Sequence, residues 1–214
     1  MEVTRIRALR GPNLWSRHTS IEAIVRCNDQ ECNIDHLPGF ENRLRERFPE
    51  LAMLRPLGHE EAVPMAQVLE FAALGLQAQA GCPVTFSRTA ATIEAGTYQV
   101  VVEYSEEAVG RKAFEDAQQL IQAALGNGSF DADKAVADLR ELDEDERLGP
   151  STGSIVEAAV ARGIPYRRLT RGSLVQFGWG SKQRRIQAAE VDSTSAVAES
   201  IGQDKDLTKR LLHA

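Results

Sequence analysis

The hydrophobic pattern is clearest in segment 63–79, VPMAQVLEFAALGLQAQ. Apolar residues recur there at spacings of three and four, the period of a helix with a broad apolar face. Pro64 suits the first turn of such a helix because its φ is fixed, and Gly81 suits its C-terminal end. The segment therefore predicts a central core helix, with these apolar positions: Met65, Val68, Leu69, Ala72, Leu76 and Ala80.

Loosely alternating apolar residues predict strands on both sides of this helix. Two strands are expected before it, at 3–10 and 20–27, and two after it, at 83–89 and 96–104. The last strand has the strongest pattern, because TYQVVVEY is rich in β-branched and aromatic residues.

Helical spacing recurs in a short segment from Phe40 to just before Pro49, and again at 106–125 and 131–147. The acidic cluster 143–146 is interpreted as the solvated face of the last of these helices. Strand pairs that alternate with helices predict a two-layer α+β domain with a mainly antiparallel sheet packed by helices.

A second unit is expected after residue 150. It would begin with a helix at 151–162 and continue with a hairpin at 174–189 and a helical segment at 193–214. The last pattern stops without glycine, proline or cap, and the stretch is short for a domain core, so we expect this unit to be incomplete. For the helix at 151–162 the cap is expected at Ser151 or Thr152, and the buried positions are expected at Ile155, Val156, Ala159 and Val160.

The charge distribution supports this division. The net charge is −6, but residues 1–150 carry 15 Lys and Arg against 25 Asp and Glu, whereas residues 151–214 carry 10 against 6. The change of sign near Gly149 and Pro150 predicts a boundary between domains 1–150 and 151–214. The acidic first part argues against nucleic-acid binding, which requires clustered Lys and Arg.

Membrane and metal chemistry find little support in the sequence. There is no run of eighteen apolar residues and no apolar leader, so no membrane partner is expected. Three irregularly spaced cysteines predict a reducing cytoplasm rather than a disulfide framework. The histidines have no partner at metal-ligand spacing, so no metal is expected from them; they are His18, His36, His59 and His213.

No common nucleotide-binding or nucleophile motif is present. The glycine-rich segment 178–182, GWGSK, could approach a phosphate through its backbone, but no helix is expected to follow it. A hairpin turn is the preferred interpretation.

Five collinear segments resemble the N-terminal region of the cyanophycin synthetase family and together extend over nearly the whole chain. They are LRGPNLWS (9–16), LPGF (37–40), CPVTFSRTAATIEAGTYQVVVEY (82–104), LGPSTGSIVEAA (148–159) and FGWGSKQRRIQAAEVDSTSAVAESIGQDKDLTKRLL (177–212).

The resemblance implies that residues 1–150 are the N-terminal domain and residues 151–214 the opening of an ATP-grasp ligase domain. The intact enzyme would continue into a Mur-ligase-like domain and use ATP and Mg²⁺ to polymerise aspartate and arginine. Segment 204–209, DKDLTK, is similar to the start of such nucleotide sites, so Lys205 would contact ATP in the intact enzyme. This chain by itself is expected to need no cofactor and to have no catalytic residue.

The family's N-terminal domain is expected to hold the cyanophycin polymer while the ligase domains extend it. Each repeat carries a guanidinium and a carboxylate, so the surface needs both charge signs. Arg88, Glu94 and Glu103 are the candidate polymer contacts; for Arg88 and Glu94, local pairing within a loop is an equal alternative. The expected partners are the polymer, the enzyme's own ligase domains and further copies in a homo-oligomer such as a tetramer.

Two other functions remain open, namely a zinc-dependent hydrolase that makes primers and a purely structural or oligomerisation domain. Some relatives carry an inverted H-x-x-E-H metal motif on the helix that corresponds to 63–79. Its histidine positions fall on Gln67 and Phe71, Glu70 keeps the glutamate, and Gly75 replaces a further carboxylate. We therefore expect a degenerate metal site and no hydrolysis.

Overall fold

A computed structural model describes residues 1–51, 62–126, 128–188 and 190–213. The chain divides into two compact units, Met1–Arg147 and Leu148–Ala214. His59, one of the four histidines considered above as metal ligands, lies outside the described residues. The α+β prediction is confirmed, because the first unit has a helical layer packed on an antiparallel sheet.

Four strands form the sheet of the first unit: β1 (Glu2–Leu9), β2 (Ser20–Arg26), β3 (Ser87–Ala91) and β4 (Thr97–Glu103). Their order in the sheet is β1-β2-β4-β3, and all neighbours are antiparallel. Because side chains alternate along a strand, the sheet has two distinct faces. The inner face is apolar and joins the main core, through residues that include Ile21, Ala23, Val25, Val100 and Val102.

Four helices form the layer on that inner face; two of them contact its strands, and the other two pack mainly on those helices. They are α1 (Phe40–Arg47), α2 (Met65–Gln79), α3 (Glu107–Leu125) and α4 (Ala132–Glu146). Helix α2 is central, since it contacts α3, α4, β3 and β4. This confirms the helix predicted at 63–79, and its apolar residues Met65, Leu69 and Leu76 are fully buried.

The ends of α2 follow from local chemistry. Pro64 is the N-cap, with an extended ψ of 153°, so the first helical residue is Met65. The Met65 N–H donates to the carbonyl of Glu31 at 2.8 Å, which satisfies a donor that helix starts leave free. Beyond the helix, Gly81 has a φ of 92°, a left-handed conformation that glycine adopts without strain.

The strand predicted at 83–89 begins later than expected, at Ser87. Pro83 has no N–H for a strand ladder. The N–H groups of Thr85 and Phe86 donate to the Glu103 side chain, each at 2.8 Å, instead of to a neighbouring strand. The preceding segment is therefore an ordered loop held by a carboxylate.

The second unit has its own antiparallel sheet in the order β5-β6-β7-β8. The strands are β5 (Tyr166–Arg168), β6 (Leu174–Phe177), β7 (Arg184–Gln187) and β8 (Glu190–Val191), and the helices are α5 (Pro150–Ala161), α6 (Ala196–Gln203) and α7 (Lys205–Leu212). The predicted hairpin turn is confirmed, because a 3₁₀ turn at Gly180–Lys182 joins β6 to β7.

Two expectations for helix α5 were wrong, namely its cap and part of its buried face. Helix α5 has Gly149 as N-cap and Pro150 at its first position, so neither Ser151 nor Thr152 caps it. Its residues Ile155 and Val160 are exposed, at 41% and 47%, whereas Val156 packs on β6 and β7.

The helical segment predicted at 193–214 consists of two short helices. Asp204 separates α6 from α7, and its carboxylate accepts hydrogen bonds from the N–H groups of Asp206 and Leu207 as the N-cap of α7. Within the described residues, no helix is both long enough and apolar enough to cross a bilayer.

Candidate functional site

The degenerate metal site predicted on α2 lies between α2, β3 and the end of α1. Glu70 is 5% exposed, and its Oε1 accepts a hydrogen bond from Ser87 Oγ at 2.7 Å. Burial raises the pKa of Glu70, although hydrogen bonds from β3, that of Ser87 among them, oppose the increase. Gln67 and Phe71, at the two histidine positions, are half-buried.

The position of the further carboxylate is closed by packing. A Cβ atom added at Gly75 would lie 3.2 Å from Phe48 Cε1 and 3.9 Å from Leu51 Cδ1. The aromatic ring of Phe48 therefore occupies the space that a longer side chain would need.

The residues present do not fit a zinc ion. Neither glutamine nor phenylalanine replaces an imidazole ligand, so Glu70 is the one group of the motif that could bind a metal. In the described ranges, no three His, Cys, Asp or Glu side chains lie together in an arrangement that could hold a metal ion.

The candidate polymer contacts lie elsewhere, at the outer face of the same sheet. This face points away from the helices, and in the described part of the first unit no helix covers it. One row of paired residues crosses it from edge to edge: Arg7 on β1, Glu22 on β2, Val101 on β4 and Arg88 on β3.

Trp15, from the loop between β1 and β2, covers the middle of this row. Its Nε1–H donates to Glu22 Oε1 at 3.0 Å, and the guanidinium carbon of Arg88 lies 5.8 Å from the ring centroid. Glu22 and Arg88 flank Val101 in the sheet, so the indole spans β4 above it. Consistent with this, Val101 is fully buried although it lies outside the main core.

The loop that carries Trp15 is held by Asn13. The Asn13 carboxamide oxygen accepts hydrogen bonds from the N–H groups of Trp15 and Ser16, and its amide donates to the carbonyls of Gly11 and His18. These side-chain bonds replace regular secondary structure and fix the direction of the loop.

Glu22 is a buried carboxylate in this cluster. It is 4% exposed and accepts hydrogen bonds from Trp15 Nε1 and Arg7 Nε. Burial raises the pKa of Glu22, but these two hydrogen bonds and the charges of Arg7 and Arg5 outweigh burial, so the pKa lies below its ordinary value. Glu22 is therefore held as an anion beneath two cationic side chains.

The other two candidates differ in their surroundings. Glu94 is exposed in the β3–β4 turn and lies 3.5 Å from Arg26. Glu103 is 6% exposed; its Oε2 accepts from two backbone N–H groups, and its Oε1 lies 3.1 Å from His18 Nδ1. Arg88, Glu94 and Glu103 thus all lie on the outer side of the sheet. Their role as polymer contacts stays a prediction.

Sequence reasoning did not identify Trp15, Glu22 or Arg7 as part of this surface. The available signal was one of only two tryptophans in a turn-rich segment. The contact of Trp15 with Arg88 depends on the pairing of β2 with β4 and of β4 with β3, which no local pattern specifies.

Lys205 lies in the second unit as the first residue of α7. Together with Lys209 it lines a shallow pocket between α6 and α7, whose other residues are Gly202, Thr208, Leu212 and His213. Two lysines are therefore among the residues that line this pocket.

The first unit has the fold of a two-layer α+β domain. Comparison with known proteins shows which family it is similar to. Residues 23–126 match the family described as cyanophycin synthase-like N-terminal domain. The resemblance predicted from the five segments is confirmed.

Curated relatives extend the similarity to the whole chain. Cyanophycin synthetase from Trichormus variabilis (strain ATCC 29413 / PCC 7937) is 37% identical over 231 residues, which covers 100% of this chain and 25% of the relative. The proteins of the same name from Crocosphaera subtropica and Synechocystis sp. are 34% and 33% identical, over 99% of this chain and 26% of each relative. The chain thus spans about a quarter of the length of the curated relatives that it matches.

Proposed function

We propose that the first unit binds cyanophycin, the arginine-bearing polyaspartate made by its relatives, through the outer face of its sheet and does not cut it. One observation carries the proposal: a sheet face that no helix in the described ranges covers presents arginine and glutamate side chains, in a chain whose residues 23–126 match the cyanophycin synthase-like N-terminal domain family. The mixture of positive and negative side chains on this face matches a ligand that carries both charge signs.

The exposed cations of the outer face are Arg5, Arg7, Arg26 and Arg88. Arginine suits this task because its planar guanidinium can clamp a carboxylate with two hydrogen bonds. Glu94, at the rim of the face, supplies an exposed carboxylate for a guanidinium of the polymer.

The dimensions of this face suit a polymer better than a single repeat. Arg7 and Arg88 are separated by three strand spacings, or roughly 14 Å, which equals about four residues of extended backbone. Several weak charge contacts would then add along one chain. We expect affinity to rise steeply with polymer length up to about four repeats.

Binding of soluble cyanophycin to the chain, measured by calorimetry at fixed salt, tests the proposal. Arg88→Ala should weaken binding about tenfold, the effect of one charge-assisted hydrogen-bonded contact. Arg111→Ala is the matched control, because Arg111 is an exposed arginine on α3 that pairs with Glu107 in the same helix. It should leave the affinity unchanged.

Each other outcome has a defined meaning. Unchanged binding by Arg88→Ala would remove that residue from the site, and absence of binding by the unaltered chain would overturn the proposal. A stable tetramer without polymer binding would instead support the oligomerisation role. Hydrolysis of the polymer in the same samples, with and without added zinc, would overturn the statement that the chain does not cut it.

We further propose that this chain supplies the polymer-holding part of an ATP- and Mg²⁺-dependent ligase and does not ligate amino acids by itself. In the intact enzyme Lys205 would contact a phosphate of ATP. The pocket beside α7 is shallow and has few lining residues, so nucleotide affinity of the chain alone should be weaker than micromolar. Micromolar binding of a fluorescent ATP analogue would contradict this.

A further inference from the structure

We propose that Trp15 is a positioning residue that holds the Arg88 guanidinium ready to receive a carboxylate of the ligand. The inference rests on the proposed function, because it assigns one chemical group of the polymer to one place on the outer face. Arg88 makes the contact, and Trp15 acts through it.

The first support is the stacking geometry. The Arg88 guanidinium carbon is 5.8 Å from the Trp15 ring centroid, within the distance at which a cation and an aromatic face attract each other. A guanidinium that lies over an aromatic face keeps the N–H groups of its planar edge free for a planar anion. Stacking also restricts a long side chain that would otherwise lose rotamer freedom on binding.

The second support is a comparison among the arginines of this face. Arg7 already pairs with Glu22, and Arg26 lies 3.5 Å from Glu94. Arg88 contacts an aromatic ring instead, and no carboxylate within the described ranges lies at ion-pair distance from it. A ligand carboxylate at Arg88 therefore does not compete with a protein carboxylate, as it would at Arg7 and Arg26. Arg5, the fourth exposed arginine of this face, has no ion pair within the described ranges either, so the aromatic contact is what distinguishes Arg88 from it.

The third support is the way in which Trp15 is itself fixed. Its Nε1–H is bonded to the buried Glu22, whose second oxygen accepts from Arg7, and its backbone N–H donates to Asn13. The indole is thus fixed at its N–H and at its backbone before any ligand arrives. Because Arg7 neutralises Glu22, the carboxylate beneath the indole does not repel an incoming anion strongly.

The binding experiment uses two simple probes, poly-L-aspartate and poly-L-arginine, besides soluble cyanophycin. Trp15→Leu should weaken the binding of cyanophycin and poly-L-aspartate about two- to tenfold, the range expected for loss of an exposed cation–π contact. Binding of poly-L-arginine should not change, because Arg88 does not contact a cationic ligand. Trp179→Phe, at the other tryptophan, is the matched control and should bind all three probes as the unaltered chain does.

Two further variants separate positioning from a merely structural role. Trp15→Phe keeps an aromatic face but lacks the N–H that bonds to Glu22, so its affinity for poly-L-aspartate should lie between those of the unaltered chain and Trp15→Leu. In the Arg88→Ala background, Trp15→Leu should have no further effect, because the two residues act as one unit. Equal losses for all probes, or additive losses in the double variant, would overturn the inference.

A fluorescence measurement does not depend on replacing Trp15. In the Trp179→Phe chain, Trp15 is the remaining tryptophan, and its emission should change in proportion to poly-L-aspartate bound. Polymer binding without any change in this emission would overturn the inference but leave the proposed function intact. Absence of polymer binding would overturn both.

Discussion

On strand β2, Ile21 and Ala23 point into the helical layer, whereas Glu22 between them points to the outer face and accepts hydrogen bonds from Trp15 and Arg7. The inner face joins a continuous apolar core, and the outer face carries paired and stacked charges. Hydrophobic burial scales with the area removed from water, while an exposed ion pair adds little to stability. The two faces should therefore respond differently to substitution, the inner one in stability and the outer one in binding.

The largest effect on stability is expected at Phe48, which fills the space beside Gly75 at the inner layer. Phe48 is 1% exposed, so Phe48→Ala should lower the free energy of unfolding by about 3–5 kcal/mol. Urea unfolding followed by circular dichroism measures this change. Leu14→Ala is the control, because Leu14 is 99% exposed and its loss should change stability by about 0.5 kcal/mol or less. A Phe48→Ala chain as stable as the control would show that the packing beside Gly75 contributes nothing.

An intermediate effect on stability is expected at Glu103, a residue on the outer-face side of the sheet whose side chain is nevertheless buried. Glu103→Ala leaves the N–H groups of Thr85 and Phe86 without their acceptor and should lower the free energy of unfolding by about 1–3 kcal/mol. Exchange of these two amide protons should also accelerate. Glu94→Ala, which removes an exposed carboxylate, is the comparison and should affect neither. Unchanged amide exchange in Glu103→Ala would contradict the role given to this carboxylate in the loop.

The smallest expected effect is a difference in how stability depends on pH. It separates Glu70, the buried carboxylate on the inner side of the sheet, from Glu22, the buried carboxylate of the outer face. The pKa of Glu70 is raised, so its folded form binds a proton more tightly than the unfolded chain, and ionisation costs stability as the pH rises above its ordinary value. The stability of Glu70→Gln relative to the unaltered chain should therefore increase with pH from about 4 upward and then level off.

Glu22 should show the opposite trend. Its pKa is lowered, so the stability that it contributes is present above its ordinary pKa and is lost as the pH falls through the folded value. Glu22→Gln should therefore be most destabilising near neutral pH and least so in acid. Urea unfolding at several pH values measures both variants, and parallel trends would contradict the contrast between the faces.

Much of the fold follows from short-range pattern. The spacing of apolar residues in 63–79 identified α2, and TYQVVVEY identified β4, because in both segments local preference agrees with burial. The start of β3 was predicted too early because the carboxylate that binds the Thr85 and Phe86 N–H groups comes from Glu103, on another strand. Likewise, Ile155 and Val160 have the right spacing for a buried face, but the small sheet of the second unit covers little more than Val156.

The candidate site was predictable only in part. The motif alignment singled out Glu70 and Gly75, and packing accounts for the loss of the metal site because Phe48 lies against Gly75. The outer-face cluster was not predictable, since Trp15 and Arg88 lie far apart in sequence. They meet because β4 pairs with both β2 and β3, a long-range arrangement that residue periodicity does not encode.

That strand order also has a kinetic consequence. The β1–β2 and β3–β4 pairs are each local in sequence and need only short loops to close, whereas β2 joins β4 through the pairing of Ser20 with Glu103. Closing so long a loop costs entropy before any contact is gained, so this central pairing should form late and limit the folding rate. During synthesis on the ribosome, the first hairpin would emerge with β2 as an unpaired edge until β4 follows. The turn-rich loop that carries Trp15 would then be complete well before the arginine on which it stacks has been added.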